Sequence, residues 1–235
     1  MYKGIYIALS GALLKQRHMD TFAHNMANAN SNGFKKERIS FKDYMIPVDN
    51  NAAQADDGRS MSEVSTILTD FSNGGMTQTG NPLDLAINGE GFFALEGNKY
   101  TRNGSFKVSS DGYLATHDDV KVLGEGGPIS INGNKIDIGS SGEVLVDDVS
   151  VGKLSIVNFT DKDVLQKQTG NIFTTETQGE DAGSAVSQGY LESSNVEVVR
   201  EMVQMLTTVR EFESYQKMIK AFDEAASQTI NQMGK

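Results

Sequence analysis

Few side chains in this chain could do chemistry. There are three histidines, His18, His24 and His117, and no cysteine. His18 and His24 stand six apart, so a helix puts them on different faces, and no Cys or acidic pair completes a metal-ligand spacing. The carboxylates that could serve a hydrolase are Asp84, Glu90, Asp118, Asp119, Asp147 and Asp148. A glycosidase needs two of them about 5 to 10 Å apart in a cleft; acidic residues in such turn-rich sequence read as turn formers. Gly124-Glu125-Gly126-Gly127-Pro128 matches no phosphate-binding loop, and no serine elbow is present. Asn103-Gly104-Ser105 and Asn158-Phe159-Thr160 fit a glycosylation sequon, the first reading better as a hairpin turn. The expectation is no enzyme, no cofactor and no metal site.

The elements that carry these residues are set by apolar spacing. From Asn195 to Met233, Val199, Met202, Leu206, Val209, Phe212, Tyr215, Ile219, Phe222, Ala226, Ile230 and Met233 recur every three or four residues with no Gly or Pro between them. That is one stripe of a long helix, with a step close to a coiled-coil seam. Asn195 is placed to cap its start and Gly234 to end it. At the other terminus Ile5, Leu9, Ala12, Gln16, Met19, Ala23, Met26 and Asn30 alternate by four and three, a second seam that Asn32-Gly33 closes through a left-handed cap. Narrow stripes call for neighbouring helices, from this chain or from other copies.

Between the helices, FKKERISFKDY (34–44) reads as an extended arm and PVDNNAAQADDGRS (47–60) as a mobile loop. From Val64 to about Gly189, short apolar runs such as LDLAI, GFFAL, YLAT, EVLV and KLSIVNF alternate with Asn73-Gly74, Asn88-Gly89, Asn103-Gly104, Asp111-Gly112 and Asn132-Gly133, pairs suited to hairpin turns. Three prolines in 235 residues leave the ladders little interrupted. The fold class expected is mixed α and β: terminal helices (1–32 and 195–235) paired as a coiled-coil-like bundle, an arm and loop (33–75), and a central antiparallel all-β domain (76–194).

Charge is uneven. Residues 1–44 hold seven Lys/Arg against three Asp/Glu, 45–194 nine against twenty-two, and 195–235 five against six. The acidic middle argues against nucleic acid. No stretch approaches the roughly 20 apolar residues of a membrane span, so no membrane insertion is expected. Lys3 and the apolar run Ile5–Leu14 resemble a secretory signal, but Ser10, Gly11 and the polar residues before Ala27 favour a retained helix.

Three motifs carry a resemblance. NMANANSNGFKKERISF (25–41), GNPLDLAINGEGFFAL (80–95) with YTRNGSF (100–106) and DGYLAT (111–116), and GYLESSNVEVVREMVQML (189–206) stand in the order found in the bacterial flagellar rod and hook family, to which the chain is similar from end to end. Motif positions are Asn25, Asn28, Asn32, Gly33, Phe34, Gly80, Asn81, Pro82, Leu83, Asp84 and Asn195. His24 and Met26 depart from the common Asn and Leu, and Ala29-Asn30-Ser31 from a more usual Val-Asn/Ser-Thr. The short segment before GNPLDLAI resembles a proximal rod member more than a distal one.

The resemblance implies a structural subunit of the basal-body rod in the periplasm, exported by the flagellar type III apparatus without a cleaved signal, with copies of itself and other rod proteins as partners. Helical termini would pack into a tubular core and β domains form its wall. Ile5, Leu9, Met19 and Met26, with Val199, Met202, Leu206, Val209, Ile219 and Phe222, are the expected assembly interface. Alternatives are a distal rod or hook-type axial subunit, a secreted β-domain adhesin or binding module, and a cell-wall hydrolase.

Overall fold

The computed structural model describes residues 2–45, 60–168 and 171–233. The chain is of mixed α and β class, with two long helices and many short antiparallel strands. It divides into two compact units: Met1–Ala27, Glu37–Leu68 and Glu197–Lys235 form one, and Asn28–Lys36 with Thr69–Val196 form the other.

In the first unit, α1 spans Tyr2–Ala27 and α2 spans Val198–Met233. The helices run antiparallel in a constant register. Phe222 faces Gly4, Tyr215 faces Gly11, Lys15 pairs with Glu211 at 2.7 Å, and Asn25 bonds Glu201 at 3.2 Å; in every pair the residue numbers add to 226. Small residues make this approach possible. A Cβ on Gly11 would stand 2.6 Å from the Tyr215 ring, and one on Gly4 2.9 Å from the Phe222 ring, while Ala8 and Ala12 are buried. Large rings on α2 thus enter gaps that small residues leave on α1. The strand Glu37–Met45, which falls on the expected arm, pairs with the strand Ser60–Thr69. The loop expected over 47–60 lies, up to residue 59, outside the described residues, as does Gly234.

Two expected caps are corrected. The first helix stops at Ala27, and Asn32-Gly33 belongs to the other unit, where Gly33 has φ +66° and donates its N–H to the Glu192 carbonyl at 2.7 Å. Asn195 does not cap α2, which starts three residues later. Its carboxamide accepts the Lys36 N–H at 2.8 Å and donates to the Asp70 and Ser72 carbonyls at 2.8 and 3.1 Å. Backbone groups of a connector outcompete the first helical turn for this side chain.

The second unit is built on a six-stranded antiparallel sheet in the order Gln166–Lys167, Ile172–Thr174, Lys99–Thr101, Phe92–Leu95, Ile156–Asn158, Glu180–Asp181. Alternation across the strand Phe92–Leu95 sends neighbouring rings to opposite faces. Phe93 and Leu95 join a core with Leu85, Leu114, Val122, Val144 and Leu154, whereas Phe92 packs with Phe159, Leu165 and Phe173. The run GFFAL is continuous in apolar character because this strand is covered on both sides.

The Asn-Gly pairs do less turning than their sequence suggests. Asp111-Gly112 closes the hairpin between Lys107–Val108 and Leu114–Ala115, with Gly112 at φ +77°. Asn88-Gly89 closes none, because the strand Leu85–Asn88 pairs instead with Ala185–Gln188. Gly74 and Gly104 are not in the positive-φ region; a Cβ on either would collide with the carbonyl oxygen of Ser193 or Leu85. A two-residue hairpin turn, between Glu143–Val146 and Val149–Lys153, uses Asp147 and Asp148 at φ +50° and +65°.

Candidate assembly face and buried charge junction

Within the helical unit, Asn25 is a hub. Only 1% exposed, it brackets the Glu37 backbone, donating to its carbonyl and accepting its N–H, both at 2.9 Å, while also donating to Glu201. A buried polar group between two packed helices costs little when fully bonded and much when misaligned. It therefore selects one register. Glu201, Met205, Thr208, Phe212, Tyr215, Ile219 and Phe222, spaced four and three, form the inward face of α2, each buried or half-buried.

The residues expected at the assembly interface divide accordingly. Ile219 and Phe222 lie on the inward face of α2, and Val209, Ile5, Met19 and Met26 are half-buried. Leu9, Val199, Met202 and Leu206 face solvent, Val199 being 76% exposed. Val203 is also exposed and completes an i, i+3, i+4, i+7 stripe on α2 with them, on the side away from α1.

In the β unit the three sequence motifs converge on Glu192. Its Oε1 lies 2.7 Å from Lys35 Nζ and accepts the Gly74 N–H at 2.9 Å, while Oε2 lies 3.1 Å from Arg102 Nε. Lys35 Nζ also donates to the Ser72 carbonyl at 2.7 Å, and Arg102 Nη2 to Asn73 Oδ1 at 2.7 Å. All three charged side chains are at most 3% exposed. Burial pushes the Lys35 ammonium below its ordinary value, with Glu192 opposing the shift, and lowers Arg102 in the same way. Two cations thus share one carboxylate out of water, a set whose members cannot be removed singly without cost.

The remaining motif positions brace this junction. Phe34 is buried under Lys167, whose Nζ sits 3.9 Å over its ring and donates to the Lys35 carbonyl. Asn32 accepts from Asn171 at 3.2 Å, and Asn28 accepts from Ser31. Asn81 accepts the Leu83 N–H and donates to Asp84 at 3.1 Å, making a turn that Gly80, at φ +73°, and Pro82 fasten to 188–189. Gly80 N–H donates to the Gly189 carbonyl, Gln188 donates to the Pro82 carbonyl, and Gly189 N–H to the Asp84 carbonyl. Lys35, Arg102 and Glu192 went unnamed in the sequence reading, although each stands inside a quoted motif.

Five of the six carboxylates considered for catalysis have structural duties. Asp84 bonds Asn81, Glu90 pairs with Lys162, Asp119 with Lys107, Asp148 with Lys135, and Asp147 accepts the Lys135 N–H. His117 lies 3.3 Å from Ser105 Oγ, and His24 3.3 Å from Glu37. Among the described residues no three His, Asp or Glu side chains are grouped to hold a metal ion. No described helix is long and apolar enough to cross a membrane. A locked β unit and a helix pair with uncovered apolar stripes are the parts of a structural assembly protein.

Comparison with known proteins supplies the family. Residues 187–233 match the flagellar basal body rod FlgEFG protein C-terminal family, and 86–146 match the flagellar hook protein FlgE/F/G D1 domain. The chain is 33% identical over 261 aligned positions to the flagellar basal-body rod protein FlgG of Bacillus subtilis, covering 98% of this chain and 99% of that one. It is 33% identical over 248 positions to FlgF of Caulobacter vibrioides, covering 100% and 99%, and 30% identical over 246 positions to FlgF of Mesorhizobium japonicum. The chain belongs to the flagellar basal-body rod protein family. It is a structural rod component and not an enzyme.

Proposed function

We propose that this chain is a subunit of the proximal rod, in the periplasmic part of the basal body, delivered by the flagellar type III export apparatus with its N-terminal helix intact. The terminal helices Tyr2–Ala27 and Val198–Met233 assemble as a coiled-coil-like bundle with other copies and other rod proteins, and the unit built on Thr69–Val196 forms the wall of the shaft. Torque is then spread over many weak helix contacts. The observation that carries this reading is the exposed stripe Val199, Met202, Val203 and Leu206, four large apolar side chains that the chain's own helix pairing leaves in water.

Length supports the proximal position. Alignment with the Caulobacter FlgF needs 248 positions, 13 more than the 235 residues of this chain, whereas alignment with the Bacillus FlgG needs 261, which is 26 more. The equal identity to FlgG keeps a distal subunit as the second reading.

Leu206→Asp tests the assembly role. In cells that variant is expected to be absent from isolated basal bodies and to abolish motility, while the purified variant keeps the β-sheet circular dichroism of the wild type. Normal incorporation would overturn the reading. Antibody labelling of isolated basal bodies then separates the positions: label at the membrane-proximal end supports the proximal rod, and label beside the hook the distal one.

A further inference from the structure

The chain holds five Asn-Gly pairs: Asn32-Gly33, Asn73-Gly74, Asn88-Gly89, Asn103-Gly104 and Asn132-Gly133. As dipeptides they are chemically alike. In each, the glycine nitrogen can attack the carbonyl carbon of the asparagine side chain, because glycine has no Cβ to shield that nitrogen. The attack needs an uncommitted N–H and a peptide free to turn, so folding decides which pair reacts.

Four pairs are pinned. The Gly33 N–H donates to the Glu192 carbonyl at 2.7 Å and the Gly74 N–H to Glu192 Oε1 at 2.9 Å, while Asn73 Oδ1 accepts from Arg102. Asn103 commits its Oδ1 to the Ser105 N–H at 3.1 Å, and the buried Gly104 accepts the Leu85 N–H. Asn88 is exposed, yet it lies in the strand Leu85–Asn88 opposite Ala185, and the Gly89 carbonyl accepts from the buried Arg102 guanidinium. Asn132-Gly133 is different. Both residues are exposed between the strands Gly127–Pro128 and Ile136–Ile138, and the Gly133 N–H has no hydrogen-bond partner among the described residues. Asn132 donates from Nδ2 to Ser130 Oγ at 3.0 Å, which leaves its Oδ1 uncommitted.

We propose that Asn132 is a self-modification site of the β unit, converting to aspartate and isoaspartate with water as the only co-reactant. The Gly133 nitrogen bonds to Asn132 Cγ and gives up its proton, the Cγ–Nδ2 bond breaks, and Nδ2 leaves with a proton as ammonia. A succinimide ring results. Water then adds to one of the two ring carbonyls: at Cγ it restores the ordinary backbone with an aspartate, and at the main-chain carbonyl it routes the backbone through the side chain as isoaspartate. The products differ in what they do to the loop. Gly133 packs so closely that a Cβ would stand 2.4 Å from Val146 and 2.3 Å from Asp147, and the Asp147 carboxylate accepts the Asn134 and Lys135 N–H groups at 3.3 and 3.0 Å. Aspartate keeps that docking. The extra backbone carbon of isoaspartate displaces residues 133–135 from Asp147 and loosens the start of the strand Ile136–Ile138.

The test uses the full chain without any substitution. Purified protein is aged folded, at neutral and at mildly alkaline pH, and in parallel unfolded in urea; peptide mapping by mass spectrometry, with chromatographic separation of isoaspartyl from aspartyl peptides, follows all five pairs in each sample. In the folded chain Asn132 is expected to convert at least about tenfold faster than each of the other four asparagines. Its rate should rise with pH, because the attacking nitrogen must lose its proton. In urea the five rates should converge. Another of the five keeping pace with Asn132 in the folded chain would overturn the proposal, as would equal protection of all five. A lead for Asn132 that persists in urea would trace to its sequence neighbours and overturn the structural assignment too.

Discussion

Glu192 holds Lys35 at 2.7 Å across 157 residues of sequence, with both side chains buried. Since Arg102 shares the same carboxylate, the members are unequal. Glu192→Gln leaves two buried cations without a counter-charge and should cost about 3–5 kcal/mol of β-unit stability. Lys35→Met leaves the Arg102–Glu192 pair balanced and should cost clearly less. Urea unfolding followed by circular dichroism checks the order, and equal losses would show that the cluster does not act as a charge-balanced set.

The pH dependence follows from Lys35. Its folded-state value is lowered by burial, so between that value and the ordinary lysine value of about 10.4 the unfolded chain binds more protons than the folded one. Stability contributed by this group therefore rises with pH through that window and is lowest where both states are protonated. The urea midpoint of the wild type should climb relative to Lys35→Met as pH is raised from neutral toward 10. A flat or falling difference would contradict the assignment.

Gly11 and Tyr215 define the helix register by contact, and a side chain at Gly11 needs the space the ring occupies. Gly11→Val should weaken the helix pair by about 1–3 kcal/mol, read as a lower melting temperature of the helical signal. Gly11→Val with Tyr215→Ala should recover part of that loss. No recovery would mean the contact is not what limits the pair.

Gly104 and Gly126 of the β unit differ by space rather than by conformation. At Gly104 a Cβ would meet the Leu85 carbonyl oxygen, while at Gly126 nothing stands within 4 Å. Gly104→Ala should unfold or severely weaken the unit, since backbone cannot yield as a side chain can, and Gly126→Ala should fall within about 0.5 kcal/mol of the wild type. Thermal melts of both variants test the contrast.

Much of the architecture was legible in residue order. Apolar periods of three and four marked both helices, and turn residues marked the strand-rich middle, because these patterns depend on local geometry that each segment carries alone. The aromatic strand GFFAL and the three motifs likewise declared themselves. What spacing could not assign was which stripe each helix turns inward. α2 carries two overlapping stripes, and the polar one, Glu201, Met205 and Thr208, faces α1 because Asn25 needs a partner there and Gly4 and Gly11 need large rings opposite them.

The sequence by itself determined the element types, the family and the non-enzymatic character, all of which rest on local propensity or on motif identity. Tertiary structure alone decided the destinations of Asn195 and Gly33, the use of Gly74 and Gly104 for close approach, and the meeting of Lys35, Arg102 and Glu192. Those outcomes depend on contacts between segments as much as 159 residues apart. The free energy of burying a charge or a carbonyl is set by what folding brings beside it, which no single stretch of sequence contains.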